Sequence, residues 1–290
     1  MTLETPVRGW QMARISAQDL LRKKQRKEPI SMLTCYDAVY AKLVDEAEID
    51  IAFVGDSVGT NSLGYSSERE VTIDDMCHHQ KAVARGSEKA YRLVDMPWHS
   101  YDTDSDAKKN ATLLIQAGAD AVKFEGFRPE IISSISKTGI LVWAHLGLTP
   151  QWITERRLQA RTASEGYRIF NEAKEMEAAG ASAIVLELIP SEVATAVAGA
   201  LQVPVIGIGS GSGTDGQVQV INDVLGLTVK RYWHAFPGFA GRTNSLQALR
   251  AYSEAVRSGK FPGLDQTKCF APEELASFNA LKKSLPSGEA

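Results

Sequence analysis

Short apolar segments recur along the 290-residue chain, and they constrain its fold more than any other feature. Their apolar residues are nearly continuous rather than alternating with polar ones, which is typical of parallel strands covered on both faces. Eight such segments, the last one weaker, lie at 30–37, 50–56, 91–95, 120–126, 139–145, 182–188, 204–209 and 228–233. The pattern predicts eight strands.

Helical patterns fill the intervals between these strands. Two of them end at an Ala-Gly-Ala sequence around Gly118 and Gly180, where glycine is the usual residue just past a helix. A further helix is predicted over 215–226, between the last two strands. Because strand and helix alternate throughout, the sequence predicts an α/β fold, a (β/α)8 TIM-type barrel, with an open doubly wound sheet as the alternative. We expect a single domain over 1–290, with an N-terminal extension (1–29) and a C-terminal helix and tail (245–290).

Composition argues against several classes of function. The formal net charge is −3, which gives no support for nucleic-acid or anionic-membrane binding, and the basic run at 22–27 is interpreted as a solvated helix end. No apolar stretch approaches the ~20 residues that span a bilayer. Three dispersed cysteines, Cys35, Cys77 and Cys269, show no metal-binding spacing and indicate reduced thiols in a cytoplasmic protein.

Ionisable residues stand at the C-terminal ends of five consecutive predicted strands. They are Asp56, Asp95, Lys123 with Glu125, His145, and Glu187. In a barrel these strand ends meet at one face, where the active sites of this fold are found. Carboxylates crowded together repel one another, and a divalent cation relieves the repulsion. Oxygen ligands without Cys or paired His favour Mg²⁺ over Mn²⁺ or Zn²⁺.

A glycine-rich segment, "GIGSGSGTDGQ" at 207–217, follows the seventh strand. Glycines let a backbone approach a ligand closely, and this region of a barrel often binds phosphate. The same pattern also fits a tight turn, so both interpretations stay open. The adjacent His78 and His79 lie within a predicted helix and face different directions, which argues against a shared metal.

Together, nine segments between about 30 and 227 give the chain a family resemblance. It resembles ketopantoate hydroxymethyltransferase, of the phosphoenolpyruvate mutase/isocitrate lyase superfamily. The segments are "MLTCYDAVYAKLVDEA", "VGDSVG", "LGY", "HHQKAVARG", "VDMP", "AGADAVKFEG", "HLGLTPQ", "EAAGASAIVLE" and "IGIGSGSGTDGQV". No single segment is specific, but their order and spacing together are.

The resemblance implies a metal site and a substrate site. Asp56 and Asp95 would ligate Mg²⁺ and contact the substrate through it, with Glu125 completing the site directly or through water. Ser57 and Lys123 would bind the carboxylate of a 2-oxo acid. A 2-oxo acid chelates Mg²⁺ through its carboxylate and keto oxygens, and the metal then stabilises the enolate as a Lewis acid.

The resemblance also implies the reaction. Glu187 would be the general base, and His145 would line the pocket near the reacting carbonyl. The family transfers a one-carbon unit from 5,10-methylenetetrahydrofolate to 3-methyl-2-oxobutanoate in pantothenate synthesis, and it forms homodecamers. We expect burial to raise the pKa of the base above its unperturbed value of roughly 4.3.

Several positions depart from the family pattern. They are Asn61, Ser62, Trp98, His99, Ala144 and the loop at 152–166, which lacks a glycine-rich pattern. Trp98 and His99 follow Asp95 closely, so we expect them at the rim of the same pocket. If these side chains face the substrate, they favour an acceptor smaller or more polar than 3-methyl-2-oxobutanoate.

Three other functions compete with a hydroxymethyltransferase. A Mg²⁺-dependent C–C lyase or aldolase of the same superfamily could act on another 2-oxo acid, although no cysteine-bearing loop motif of such lyases is present. A non-catalytic barrel is a second alternative, but it predicts decay of the site residues. A Schiff-base aldolase on Lys123 is a third, and a lysine beside Glu125 should stay protonated and therefore not nucleophilic.

Overall fold

The computed structural model describes residues 14–227, 234, 236 and 245–283. Eight parallel strands, each paired with the next in chain order, form a barrel that closes where the last strand pairs with the first. The strands are β1 Ile30–Thr34, β2 Ile51–Val54, β3 Tyr91–Asp95, β4 Ala121–Glu125, β5 Leu141–Gly147, β6 Ala183–Glu187, β7 Val205–Ile208 and β8 Gly216–Gln219. This confirms the predicted (β/α)8 barrel.

Helices surround the barrel and shield the outer faces of its strands. They are α1 Ala17–Arg26, α2 Ala38–Glu46, α3 Ile73–Gly86, α4 Asp104–Gln116, α5 Pro129–Ser136, α6 Ala163–Ala178, α7 Ser191–Ala200, α8 Ile221–Val224, α9 Ser245–Arg257 and α10 Pro272–Lys283. Side-chain caps begin several of them. Thr72 and Thr162, for example, each accept a backbone N–H three residues ahead, as a capping box requires.

The eighth strand lies elsewhere than the sequence predicted. Residues 216–219 form β8, so the helix predicted over 215–226 is wrong except for the short α8 at its end. The segment 228–233, predicted as the strand, lies outside the described residues. Gly216 explains the position of β8, because a Cβ there would lie 2.2 Å from the backbone oxygen of Ile30. Only glycine lets β8 pair this closely with β1.

The barrel interior is built in layers by the two-residue period of its strands. On β3, Tyr91 and Leu93 belong to the apolar interior core, and Asp95 lines a cavity above them. On β4, Ala121 is in the same core while Lys123 and Glu125 line the cavity. The alternation that fills the interior therefore also brings the ionisable residues into the C-terminal mouth.

Helix α1 closes the opposite end of the barrel. Leu20 is 2% exposed and packs into the interior core. Lys23 and Lys24 from the predicted basic helix end form ion pairs with Asp50 and Asp215, which precede β2 and β8. The division of the chain into a barrel, an extension at 1–29 and a tail from 245 stays a prediction. No helix within the described ranges is both long and apolar enough to cross a membrane.

Candidate active site

The C-terminal ends of neighbouring strands align the candidate residues through the barrel register. Asp95 at the end of β3 pairs with Lys123 on β4. Glu125, two residues further along β4, pairs with His145 on β5. On the next strand, Glu187 pairs with Gly147 at the end of β5. Five consecutive strands thus bring their ionisable side chains to one mouth, as the sequence predicted.

Three buried carboxylates and one lysine form the floor of this mouth. The Lys123 ammonium lies 2.7 Å from a carboxylate oxygen of Asp95, whose other oxygen accepts the backbone N–H of Asp56 at 3.0 Å. Asp56, Asp95, Lys123 and Glu125 are all at most 6% exposed. Negative groups outnumber the lysine here, and water is largely excluded.

Burial and neighbouring charges shift the pKa values of Asp56, Asp95 and Lys123. The pKa of Asp56 is raised well above its usual range by burial first and then by the charges of Asp95 and Glu125. Burial also raises the pKa of Asp95, although Lys123 opposes the shift. Burial alone would lower the pKa of Lys123, but the surrounding carboxylates raise it. Lys123 therefore stays protonated, which argues against the Schiff-base aldolase.

His145 connects the floor to the candidate base. Its Nδ1 lies 3.1 Å from Lys123 Nζ and 3.4 Å from Glu125 Oε1, while its Nε2 lies 3.4 Å from Glu187 Oε2. Burial and Lys123 lower the pKa of His145, but its two glutamate partners raise it by more. His145 thus joins two acidic groups across the mouth.

Glu187 differs from the other acids in its accessibility and its pKa. Its side chain retains 15% exposure, against 3% for Asp95 and Glu125. Burial raises the pKa of Glu187, but His145, His234 and an arginine of the mouth lower it by more. The expectation of a raised pKa is therefore wrong, because the positive neighbours outweigh the desolvation. Glu187 is ionised and accessible at neutral pH.

These residues line a cavity of about 330 Å³. Ser57 lies at its wall, where its hydroxyl is 2.9 Å from that of Tyr36. Met32, Phe53 and Val185 contribute apolar wall. A cavity of this size can hold a small organic acid.

The glycine-rich segment is a turn rather than part of this wall. Within it, Ile208 at the end of β7 lines the cavity, as does Val218 just after it, but 209–217 do not. The Ser210 hydroxyl donates to the backbone oxygen of Leu186 and ties the turn to the barrel. Of the two interpretations left open, the structure favours the turn.

Only part of the departures from the family pattern faces the cavity. Asn61 lines it from a π-helical turn, Gly59–Leu63, and Arg156 lines it from the 152–166 loop. Ser62 is exposed outside it, and Ala144 is buried in the layer between strands and helices.

The expectation that Trp98 and His99 stand at the rim is wrong. Their rings lie 3.9 Å apart, between centroids, and both pack near Trp152 rather than on the cavity. His99 is held there by Asp102, 2.6 Å from its Nδ1. The two residues therefore contribute to an aromatic surface outside the cavity.

The sequence reasoning missed three residues of the site. Gln151 is fully buried and touches two of the acids. Tyr36 contacts Ser57, and Arg156 forms an ion pair with Glu68 at the mouth. Gln151 ends the segment "HLGLTPQ" and Tyr36 lies in the segment "MLTCYDAVYAKLVDEA", so both belong to segments that carry the family resemblance. Their polar atoms are recognisable as site groups only once the fold brings them to the acids.

The carboxylate oxygens at the mouth fit a hard divalent cation that takes only a few of its ligands from the protein. No group of three or more His, Cys, Asp or Glu side chains is arranged as a ready metal cluster within the described ranges. Mg²⁺ typically keeps several waters and uses one or two carboxylates together with substrate oxygens. Asp56 and Asp95 match that requirement: one hydrogen bond joins them, and the positive charge nearby does not balance their negative charge. Glu125 lies beside them.

Comparisons with known proteins support the same conclusion. The sequence profile described as ketopantoate hydroxymethyltransferase matches residues 14–264. The chain belongs to this family. It is therefore an enzyme, like the one-carbon transferases of the ketopantoate hydroxymethyltransferase family. The non-catalytic alternative is set aside.

Relatives in this family cover nearly the whole chain. The 3-methyl-2-oxobutanoate hydroxymethyltransferase of Shewanella oneidensis is 42% identical over 264 residues, which are 88% of this chain and 99% of that protein. The protein of the same name from Chloroflexus aurantiacus is 42% identical over 274 residues, covering 91% of this chain and 96% of its own.

Several solved structures share the barrel fold at low sequence identity. Phosphoenolpyruvate phosphomutase from Streptomyces platensis subsp. rosaceus has a TM-score of 0.58 at 13% identity, covering 92% of this chain and 97% of its own. 2,3-Dimethylmalate lyase, a PEP mutase/isocitrate lyase superfamily member, has a TM-score of 0.54 at 18% identity, covering 92% and 96%. At this identity the likeness extends to the barrel alone.

Proposed function

We propose that the chain transfers a hydroxymethyl group from 5,10-methylenetetrahydrofolate to 3-methyl-2-oxobutanoate, with Mg²⁺, to give 2-dehydropantoate for pantothenate synthesis. The observation that carries the proposal is the underneutralised carboxylate floor next to an accessible, ionised Glu187. The names of the family relatives support the acceptor. A phosphonopyruvate hydrolase of the same fold, solved in complex with oxalate and Mg²⁺, supports a barrel that takes both a small carboxylic acid and the metal.

The residues have distinct roles in binding the acceptor. The Lys123 ammonium and the Ser57 hydroxyl would bind the acceptor carboxylate, and Tyr36 holds the Ser57 hydroxyl in place at 2.9 Å. Asp56 and Asp95 would hold Mg²⁺, with Glu125 completing the site. The ion would supply Lewis-acid stabilisation for the negative charge that develops on the keto oxygen.

Proton transfer at C3 falls to Glu187. Its ionised carboxylate would take the C3 proton, and the resulting enolate carbon would form a C–C bond to the one-carbon unit of the donor. The C–N bonds of the donor would break, water would supply the hydroxyl oxygen of the product, and tetrahydrofolate would leave. His145, 3.4 Å from Glu187 Oε2, orients the base. The apolar wall, including Phe53 and Val185, would contact the branched side chain of the acceptor.

The assembly and location of the enzyme are part of the same proposal. The family resemblance supports a homo-oligomer, specifically a homodecamer. Three free cysteines support a reducing, cytoplasmic compartment. Small molecules, the 2-oxo acid and the folate, are its proposed partners.

Hydrogen exchange at C3 tests the proposed chemistry. Enzyme, MgCl₂ and 3-methyl-2-oxobutanoate are incubated in deuterated water, and C3 is followed by proton NMR, with an EDTA-treated sample as control. We expect Mg²⁺-dependent exchange without donor, and 2-dehydropantoate once 5,10-methylenetetrahydrofolate is added. Exchange without product would instead favour the C–C lyase alternative. Absence of exchange with a panel of 2-oxo acids would overturn the proposal.

A further inference from the structure

Gln151 occupies an unusual position behind the acids of the floor. It follows β5 in the loop that leads to α6, and it is 0% exposed. Its side-chain Nε2 donates to Asp56 Oδ2 at 2.8 Å, and its backbone N–H donates to Glu125 Oε2 at 2.9 Å. One residue therefore contacts carboxylates that come from β2 and β4.

The orientation of the Gln151 amide is fixed by its neighbours. Nε2 also donates to the backbone oxygen of Met96 at 3.1 Å, so this end faces two acceptors. The Tyr101 hydroxyl donates to Oε1 at the other end. A flipped amide would place its oxygen against a carboxylate and a carbonyl, which is unfavourable.

Each of the two hydrogen bonds uses one oxygen of a carboxylate and leaves the other oxygen without a bond to Gln151. Gln151 takes Oδ2 of Asp56, and within the described part of the chain no donor is placed on Oδ1. It takes Oε2 of Glu125, whose Oε1 faces His145 at 3.4 Å. A residue that only filled space in the core would not need to bond one oxygen of each of two carboxylates.

From this arrangement we infer that Gln151 is a positioning residue for the Mg²⁺ ligands. It fixes the side-chain rotamers of Asp56 and Glu125 before the ion binds, so that Oδ1 of Asp56 is left for the ion and Glu125 is held beside it with Oε1 toward His145. Removing a residue that hydrogen-bonds to a metal ligand typically weakens metal binding by about 10–100-fold. The inference rests on the proposed function, because it assumes that Mg²⁺ binds at this floor.

An outer layer holds Gln151 itself in place. Arg69 Nε donates to the Gln151 backbone oxygen at 2.9 Å, and the Arg69 guanidinium lies 5.1 Å from the centre of the Trp98 ring. Trp152 Nε1 donates to the Tyr101 hydroxyl at 3.3 Å. The aromatic surface at Trp98 and Trp152 therefore supports the floor from outside.

Calorimetric titration with MgCl₂ tests the inference on the full-length enzyme. Gln151→Met keeps the side-chain size and removes both amide donors. Gln217→Met is the matched control, because Gln217 is also buried and its Nε2 also donates twice, to Gly211 and Thr214, outside the cavity. The melting temperature of each variant is measured in EDTA. Tyr101→Phe completes the series; it removes the hydroxyl that holds the Oε1 end of Gln151 and that also contacts the Glu125 backbone oxygen and Trp152 Nε1, and it leaves both Nε2 contacts in place.

The result that we expect is a Kd for Mg²⁺ raised by about 10–100-fold in Gln151→Met and unchanged in Gln217→Met. Tyr101→Phe should fall between Gln151→Met and the parent. A melting temperature lowered in both glutamine variants, with Mg²⁺ affinity retained in both, would show a purely structural role and overturn the inference. A parent enzyme that does not bind Mg²⁺ would overturn the proposed metal site, and this inference with it.

Discussion

The two ends of the barrel interior use buried carboxylates in opposite ways. At the N-terminal end, Asp50 pairs with Lys23 at 2.6 Å and accepts the Ser31 backbone N–H at 2.8 Å. At the C-terminal mouth, Asp56, Asp95 and Glu125 surround Lys123, the only lysine that lines the cavity in the described part of the chain. Each of the acids Asp50 and Asp215 at the closed end has a lysine of its own, whereas the three acids at the mouth share Lys123.

The difference separates stability from function within one fold. Matched ion pairs at the closed end join α1 to the barrel, where Asp215 pairs with Lys24 at 2.7 Å. The unmatched acids at the mouth cost stability, because burial and mutual repulsion disfavour their charged forms. Such a cost is typical of functional sites in barrels, which lie at this face. Four predictions follow the comparison from the largest effect to the smallest.

The base at the mouth should give the largest effect. Glu187→Gln should lower C3 hydrogen exchange by about 10²–10⁴-fold, as loss of a general base does. Mg²⁺ affinity should stay near that of the parent, because Glu187 is placed outside the carboxylate floor. Exchange rates by NMR and calorimetry decide both points. An unchanged exchange rate would place the base elsewhere.

Isosteric changes at the two ends should affect stability in opposite directions. Asp50→Asn should lower the free energy of unfolding by about 1.5–3 kcal/mol, because a hydrogen-bonded charge is lost beside Lys23. Asp56→Asn removes one of three repelling charges, so the metal-free enzyme should be as stable as the parent or more stable. Urea denaturation in EDTA measures both. Equal losses in the two variants would contradict the proposed difference between the ends.

The stabilisation by Mg²⁺ should depend on pH. The pKa values of Asp56 and Asp95 are raised in the folded protein, mainly by burial. The folded state therefore binds their protons more tightly than the unfolded chain does. The stability that they contribute is present at low pH and is lost as the pH rises from roughly 4 through the raised pKa values.

On the proposed assignment Mg²⁺ would bind the ionised acids, so its stabilising effect should grow over the pH range in which the metal-free enzyme loses stability. Melting temperatures with and without MgCl₂, measured from pH 5 to 8, test this. The Asp56→Asn variant serves as the control, because its dependence on pH should be smaller. A Mg²⁺ effect that is constant over this range would contradict the assignment of the unmatched acids as ligands.

Much of the site could be predicted because strand parity is written in the sequence. Once strands end at Asp95 and Glu125, the two-residue period carries Lys123 and His145 to the same side. Seven of the eight strands were located by a different signal, their nearly continuous apolar segments. The eighth was missed because Gly216 and two glutamines lack an apolar signal, while the close contact with Ile30 that requires glycine appears only in three dimensions.

Side-chain direction outside the strands could not be predicted. Trp98 follows Asp95 by three residues, yet the chain turns after β3 and carries its ring to the outer aromatic surface. Gln151 gave no signal because its role depends on acids that are distant in the sequence. The pKa of Glu187 was missed for a similar reason, since two of the groups that lower it, His234 and Arg156, lie outside the strands.

The smallest effect concerns the choice of acceptor, and it separates Asn61 from Trp98. Asn61 faces the cavity, but its amide already donates to the Ser57 backbone oxygen at 2.9 Å, so it presents little unpaired polarity. Asn61→Leu should raise kcat/KM for 3-methyl-2-oxobutanoate relative to 2-oxobutanoate by at most about tenfold, near the low end of what a methylene contact contributes. Trp98→Phe should leave this ratio unchanged, because the ring lies outside the cavity. Steady-state kinetics with both acids measure the ratio. If Trp98→Phe shifted the ratio as much as Asn61→Leu does, the aromatic surface outside the cavity would influence the choice of acceptor through the carboxylate floor that it supports. The aromatic surface and the cavity wall would then not act independently.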